Sequence, residues 1–98
     1  MKRVLVECRD LFFRGKIQEI VRRGGGEPVR DAPYELAVIE LGAAGTPEHI
    51  GELIARGVPV LAFGSHVDVA ALRAARDAGA RAVPNSQIES ELRAYLKT

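Results

Sequence analysis

Residues 58–83 read VPVLAFGSHVDVAALRAARDAGARAV, and the reading of this stretch decides the fold. Val58 to Phe63 is an unbroken apolar run of strand length, the pattern of a strand covered on both faces. Gly64, Ser65, His66 and Asp68 follow it directly. From Val69 to Ala78 the residues Ala71, Leu72, Ala75 and Ala78 recur at helical spacing behind a capping Asp68, and Gly79 ends the helix. Ala80 to Val83 is apolar again. A strand, a helix and a strand joined by turns this short form a right-handed crossover, which makes the two strands parallel.

The same unit recurs toward the N-terminus. Arg3 to Cys8 is a strand around Val4-Leu5-Val6, and Asp10 caps a helix from Leu11 to Arg23 whose apolar residues Phe13, Ile17, Ile20 and Val21 fall at i, i+4, i+7 and i+8. Gly24-Gly25-Gly26 stops that helix. Because the glycines follow a helix and not a strand, they are no phosphate cradle. Pro28 to Arg30 offers only a short edge strand, and Asp31-Ala32-Pro33-Tyr34 is a turn with no room for a helix. Leu36 to Leu41 is the second buried run. Thr46 caps and Pro47 opens a helix through Arg56 that carries Ile50, Leu53 and Ile54. A last helix begins at Asn85 or Ser86, with Ile88, Leu92, Tyr95 and Leu96 on one face. The expectation is one α/β domain over residues 1–98, three-layered and flavodoxin-like. Its parallel sheet has five strands in the order 2-1-3-4-5, the second short and without its following helix.

Composition bounds the function. The chain has 98 residues, 47% of them apolar and 28% charged, the balance of an ordinary soluble domain. Fourteen basic residues are interspersed with thirteen acidic ones for a net charge of +1, which argues against a dedicated nucleic-acid surface. Arg22, Arg23 and Arg30 are the only local basic grouping that could bind one. No apolar segment has the length of a signal peptide or a membrane span, so no membrane partner and a cytoplasmic location are expected. The single cysteine, Cys8, can form no internal disulfide and reads as a small buried apolar side chain.

In a sheet of this order ligands bind beyond the carboxyl ends of the first and third strands. That crevice is expected to be lined by Glu7, Cys8, Arg9 and Asp10, by Glu40 and Leu41, and by Gly64, Ser65 and His66, with Arg14 nearby. Glu7 and Glu40 end adjacent strands, where a carboxylate pair could raise one pKa and do acid–base work; a remnant acidic pocket neutralised by Arg9 or Arg14 is the favoured alternative. His66 and Asp68 at i, i+2 could be a metal or proton-transfer pair. Against that, two ligands make no metal site, and Asp68 as helix cap with Ser65 satisfying free amides accounts for the same residues. His49, the other histidine, falls in the first turn of its helix at the same sheet edge. Phe12 lies off the apolar stripe beside Lys16 and is a candidate contact residue. No nucleophile, base and orienting group can be assembled, so no enzyme, metal or cofactor is expected.

The chain resembles the receiver domains of bacterial two-component response regulators, over nearly its whole length. The resemblance rests on VLVECRD at residues 4–10, LAVIEL at 36–41 and the stretch at 58–83. Receivers use an acidic pair after the first strand to hold Mg²⁺, an aspartate ending the third strand as phosphoacceptor, a hydroxyl ending the fourth and a lysine after the fifth. Residue by residue these fall on Glu7 and Cys8, on Glu40, on Gly64 and on Ser86, and every one departs from the pattern. The resemblance therefore implies a degenerate receiver, a pseudo-receiver, not phosphorylated in the usual way. It is expected to act through a protein partner or through self-association over the face formed by residues 67–96. The alternative is a small-ligand or phosphate-binding protein using the crevice, with Arg14 and the helix start at Ser65 to Asp68 holding the anion.

Overall fold

The computed structural model describes residues 1–42 and 45–97. Its elements are β1 (Arg3–Glu7), α1 (Leu11–Arg23), β2 (Glu27–Val29), β3 (Leu36–Glu40), α2 (Pro47–Ala55), β4 (Val60–Gly64), α3 (Val69–Asp77), β5 (Arg81–Pro84), a single 3₁₀ turn (Asn85–Gln87) and α4 (Ile88–Leu96). The five strands form one sheet in the order β2-β1-β3-β4-β5, every pair parallel. This is the doubly wound order expected from the alternation of apolar runs and amphipathic segments.

Three of the four α-helices, α1, α2 and α3, start where a side-chain cap stands. Asp10 Oδ1 accepts from the amides of Phe12 and Phe13, Thr46 Oγ1 from that of His49, and Asp68 Oδ1 from that of Ala71. The helix ends explain why two strands begin later than their apolar runs. Gly57 and Gly79 take φ of 81° and 107°, open to glycine at little cost, and let the next residue turn back on the helix. Val58 N–H then bonds Leu53 O and Ala80 N–H bonds Ala75 O, so these two residues close helices instead of opening strands.

Alternation along the strands sends side chains into two cores. Val4, Leu36, Val38, Leu61 and Phe63 meet Ile17, Val21, Ile88 and Leu92 of α1 and α4. On the opposite face Leu5, Ala37, Ile39 and Ala62 meet Ile50, Leu53, Leu72 and Ala75 of α2 and α3. No helix follows β2. Residues 30–35 connect it to β3, and Tyr34 packs against the second core while its hydroxyl donates to Arg30 O at 3.0 Å. Arg3 ties the same connection to β1, its Nε donating to Pro33 O at 2.9 Å and its Nη2 to Asp31 O at 3.1 Å. Among the described residues no helix is long and apolar enough to cross a membrane.

Candidate functional site

The carboxyl ends of β1, β3 and β4 lie side by side, with Glu7 level with Ile39 and Glu40 level with Phe63. Two glutamates therefore end neighbouring strands, yet each is satisfied separately. Glu7 Oε1 lies 2.6 Å from His49 Nε2, with the two side chains 31% and 35% exposed. The contact is a hydrogen bond when Nε2 carries a proton and an ion pair when the ring is charged. Thr46, capping α2, fixes the His49 backbone at the third helical position, and from there the ring reaches back over β3 to β1.

Glu40 turns the other way. Its Oε1 accepts from Arg9 N–H at 2.9 Å and from Asp10 N–H at 3.4 Å. The carboxylate thus holds the turn between β1 and α1, whose Asp10 in turn caps α1. It is the Arg9 amide, not its guanidinium, that meets the acid. Cys8 is buried in this turn, its Sγ donating to Asp10 O at 3.3 Å. Burial, reinforced by the Glu40 and Asp10 carboxylates, pushes its thiol up from 9.0 to about 11, with the Arg14 charge opposing. A thiol this basic is a poor nucleophile near neutrality.

Beside Glu40 the space over β4 is already occupied. A Cβ placed on Gly64 would stand 3.3 Å from Leu41 Cβ and Cδ1. Leu41 itself bridges to Gly45, whose own missing Cβ would come within 2.5 Å of Glu40 O, so only glycine permits that close return of the chain. The ladder sets Pro84 level with Gly64. Ser86 falls beyond it, exposed on the 3₁₀ turn.

Ser65, His66 and Asp68 form the turn into α3. Ser65 Oγ accepts from Val67 N–H at 3.3 Å, and Asp68 Oδ1 is taken by its cap bond to Ala71. His66 is exposed and paired with neither. Among the described residues no three His, Cys, Asp or Glu side chains could hold a metal ion. Arg14 lines a groove on the far side of α1, with Arg22 and Arg30, although its charge is still felt at Cys8. Sequence reasoning passed over His49 as a site residue. Its signal was position, three residues past a Thr-Pro cap at the switch point, where a side chain can reach the end of the first strand.

Solved structures share this arrangement. The chain superimposes on the receiver domain of the Francisella response regulator 1452 with a TM-score of 0.77 at 14% identity, over 99% of this chain and 94% of the other. Its fold is that of a receiver domain. An orphan response regulator of H. pylori matches this receiver-like chain at a TM-score of 0.73 and 14% identity, over 98% and 91% of the two chains. A CheY-like protein, TadZ, from Pseudomonas aeruginosa gives 0.75 at 19% identity, over 99% and 98%. The sequence matches no protein-family model and no curated protein.

Proposed function

We propose that residues 1–98 act as one cytoplasmic regulatory domain, a pseudo-receiver that is neither an enzyme nor phosphorylated in the usual way and that works through protein contacts or self-association. The observation that carries this reading is the engagement of Glu40. An acceptor carboxylate must offer an oxygen to the incoming phosphorus and hold it beside a divalent cation. Here Glu40 is bound to two backbone amides, its acidic neighbour Glu7 is bound to His49, and the second carboxylate of the metal pair is a buried thiol.

Four large apolar side chains support contact as the mode of action. Leu11, Phe12, Val67 and Val69 all remain exposed, and all stand at the starts of α1 and α3, on the carboxyl-end edge of the sheet. Phe12, 66% exposed, carries Lys16 Nζ 4.6 Å above its ring. The outer strand β5 is less suited to pairing with another chain, because Arg76 Nε and Nη2 both donate to Ala82 O. Contacts through the helix faces around it fit better than strand addition.

The test is incubation with acetyl phosphate and Mg²⁺ followed by intact mass measurement, paired with light scattering over a wide concentration range. The expected result is an unmodified chain. A phosphoryl adduct on Glu40 would overturn the pseudo-receiver reading, and a strict monomer at the highest concentration would remove self-association.

A further inference from the structure

We infer that the groove between α1 and β2 is an anion site for a small ligand carrying two phosphoryl groups. It lies apart from the crevice and does not depend on how the crevice is read. Arg14, Gln18 and Arg22 recur at i, i+4 and i+8 on α1, so they form one stripe along the helix. That stripe faces Pro28, Val29 and Arg30 of the edge strand and its exit, with Val6 as floor, around a cavity of about 370 Å³. The volume is at the lower end of the range that small-molecule sites occupy.

The electrostatics single this groove out. The guanidinium groups of Arg14, Arg22 and Arg30 make no ion pair and no hydrogen bond among the described residues. Of the eleven other Lys and Arg side chains five are ion-paired: Arg3 with Glu27, Lys16 with Glu89, Arg23 with Glu19, Arg81 with Glu91 and Arg93 with Glu89. Three unpaired charges converge here although the whole chain carries a net charge of only +1. The nearby acids do not answer them. Glu27 stands level with Arg3, on the sheet face away from α1, and bonds to it there. Asp31 follows Arg30 on the exposed connection. Like charges held together without counter-charge cost stability, and a bound anion would reverse that cost.

The residue types define the ligand. Arginine presents a planar fork of donors that meets phosphate oxygens two at a time, which lysine cannot do. One phosphoryl group carries about −1.5 to −2 charge near neutrality, so three guanidinium groups match about two of them. Arg14 and Arg22 lie about 12 Å apart along the helix axis, a span that two linked phosphoryl groups and two long side chains can close. Gln18 between them adds neutral donors. No aromatic ring lines the groove, so it offers no platform for the bases of a single strand.

The experiment is titration of the full chain with orthophosphate, pyrophosphate and ADP, followed by calorimetry and by amide chemical shifts. Pyrophosphate and ADP are expected to bind more tightly than orthophosphate, with shifts centred on Gln18, Arg22, Val29 and Arg30. The double variant Arg14→Gln/Arg22→Gln should weaken ADP at least tenfold, whereas Arg56→Gln/Arg73→Gln, exposed and outside the groove, should leave it unchanged. Absence of binding by all three probes at millimolar concentration would overturn the site. So would equal affinity in the groove variant, or tighter binding of an oligonucleotide that both double variants weaken alike, which would show diffuse attraction of a polyanion.

Discussion

Two charged regions flank α1, and they have been built differently. In the crevice at its N-terminus the carboxylates of Glu7, Glu40 and Asp10 each have a partner inside the protein: an imidazole, a pair of turn amides and the first amides of the helix. In the groove along its side, Arg14, Arg22 and Arg30 have none among the described residues. The crevice lies beyond the carboxyl ends of the strands, where sheets of this order bind ligands, yet its acids serve as connectors between strands, turn and helix. Charge that the fold uses to hold itself together is committed to those contacts. Charge left unmatched is free to meet something else. The difference leads to opposite expectations for removing each set.

Removing Glu40 should cost the most. Glu40→Ala leaves the Arg9 and Asp10 amides without their carboxylate and loosens the turn that positions the α1 cap. A hydrogen bond to a charged acceptor is worth about 2 kcal/mol, so urea denaturation should show a loss of that order, with faster hydrogen exchange at Arg9 and Asp10. Undiminished stability would mean that Glu40 is available for other chemistry, and the contrast between the regions would fail.

Cys8 gives a smaller effect with a definite sign. Its thiol is held neutral in the fold up to about 11, against 9.0 when unfolded. Between these values the unfolded chain gives up a proton that the folded chain keeps, so the stabilisation is whole below pH 9 and is lost as pH rises through 11. At about pH 10 the loss attributable to Cys8 should be roughly 1 kcal/mol. Lysines and tyrosines titrate nearby, so the quantity to measure is the difference in alkaline slope between the native chain and Cys8→Ala. Identical slopes would show that the thiol is not buried in the turn.

Much of this fold was legible because its signals are local. Asp10, Thr46 and Asp68 announce three helices within a few residues, and the apolar runs at Val4, Leu36 and Val60 announce buried strands. The strand ends at Val58 and Ala80 were misjudged because an apolar residue after a glycine can either close a helix or open a strand, and hydropathy does not distinguish the two. The crevice was legible only as a place. The bond from Glu40 to Arg9 spans 31 positions and that from Glu7 to His49 spans 42. Which side of α1 Arg14 takes depends on how the helix is rotated over β1 and β2. Its spacing with Gln18 and Arg22 was visible in the sequence, but a stripe of arginines gains meaning only once an edge strand is seen opposite it.

The smallest expected effect is the most direct measure of the contrast. If the groove arginines take no part in holding the fold, Arg14→Gln/Arg22→Gln should change stability by no more than about 0.5 kcal/mol, as substitutions on an exposed surface usually do. Its direction should be toward greater stability, because two of three converging like charges are gone. Salt should expose the reason. Screening relieves repulsion in the native chain more than in the variant, so the melting temperatures of the two should differ most at low ionic strength and converge as salt is added. A loss of more than about 1 kcal/mol would instead show that these side chains hold α1 against β2, placing the groove in the same structural class as the crevice. Convergence with salt, together with unchanged stability at high salt, would mark Arg14 and Arg22 as charge that the fold carries without using.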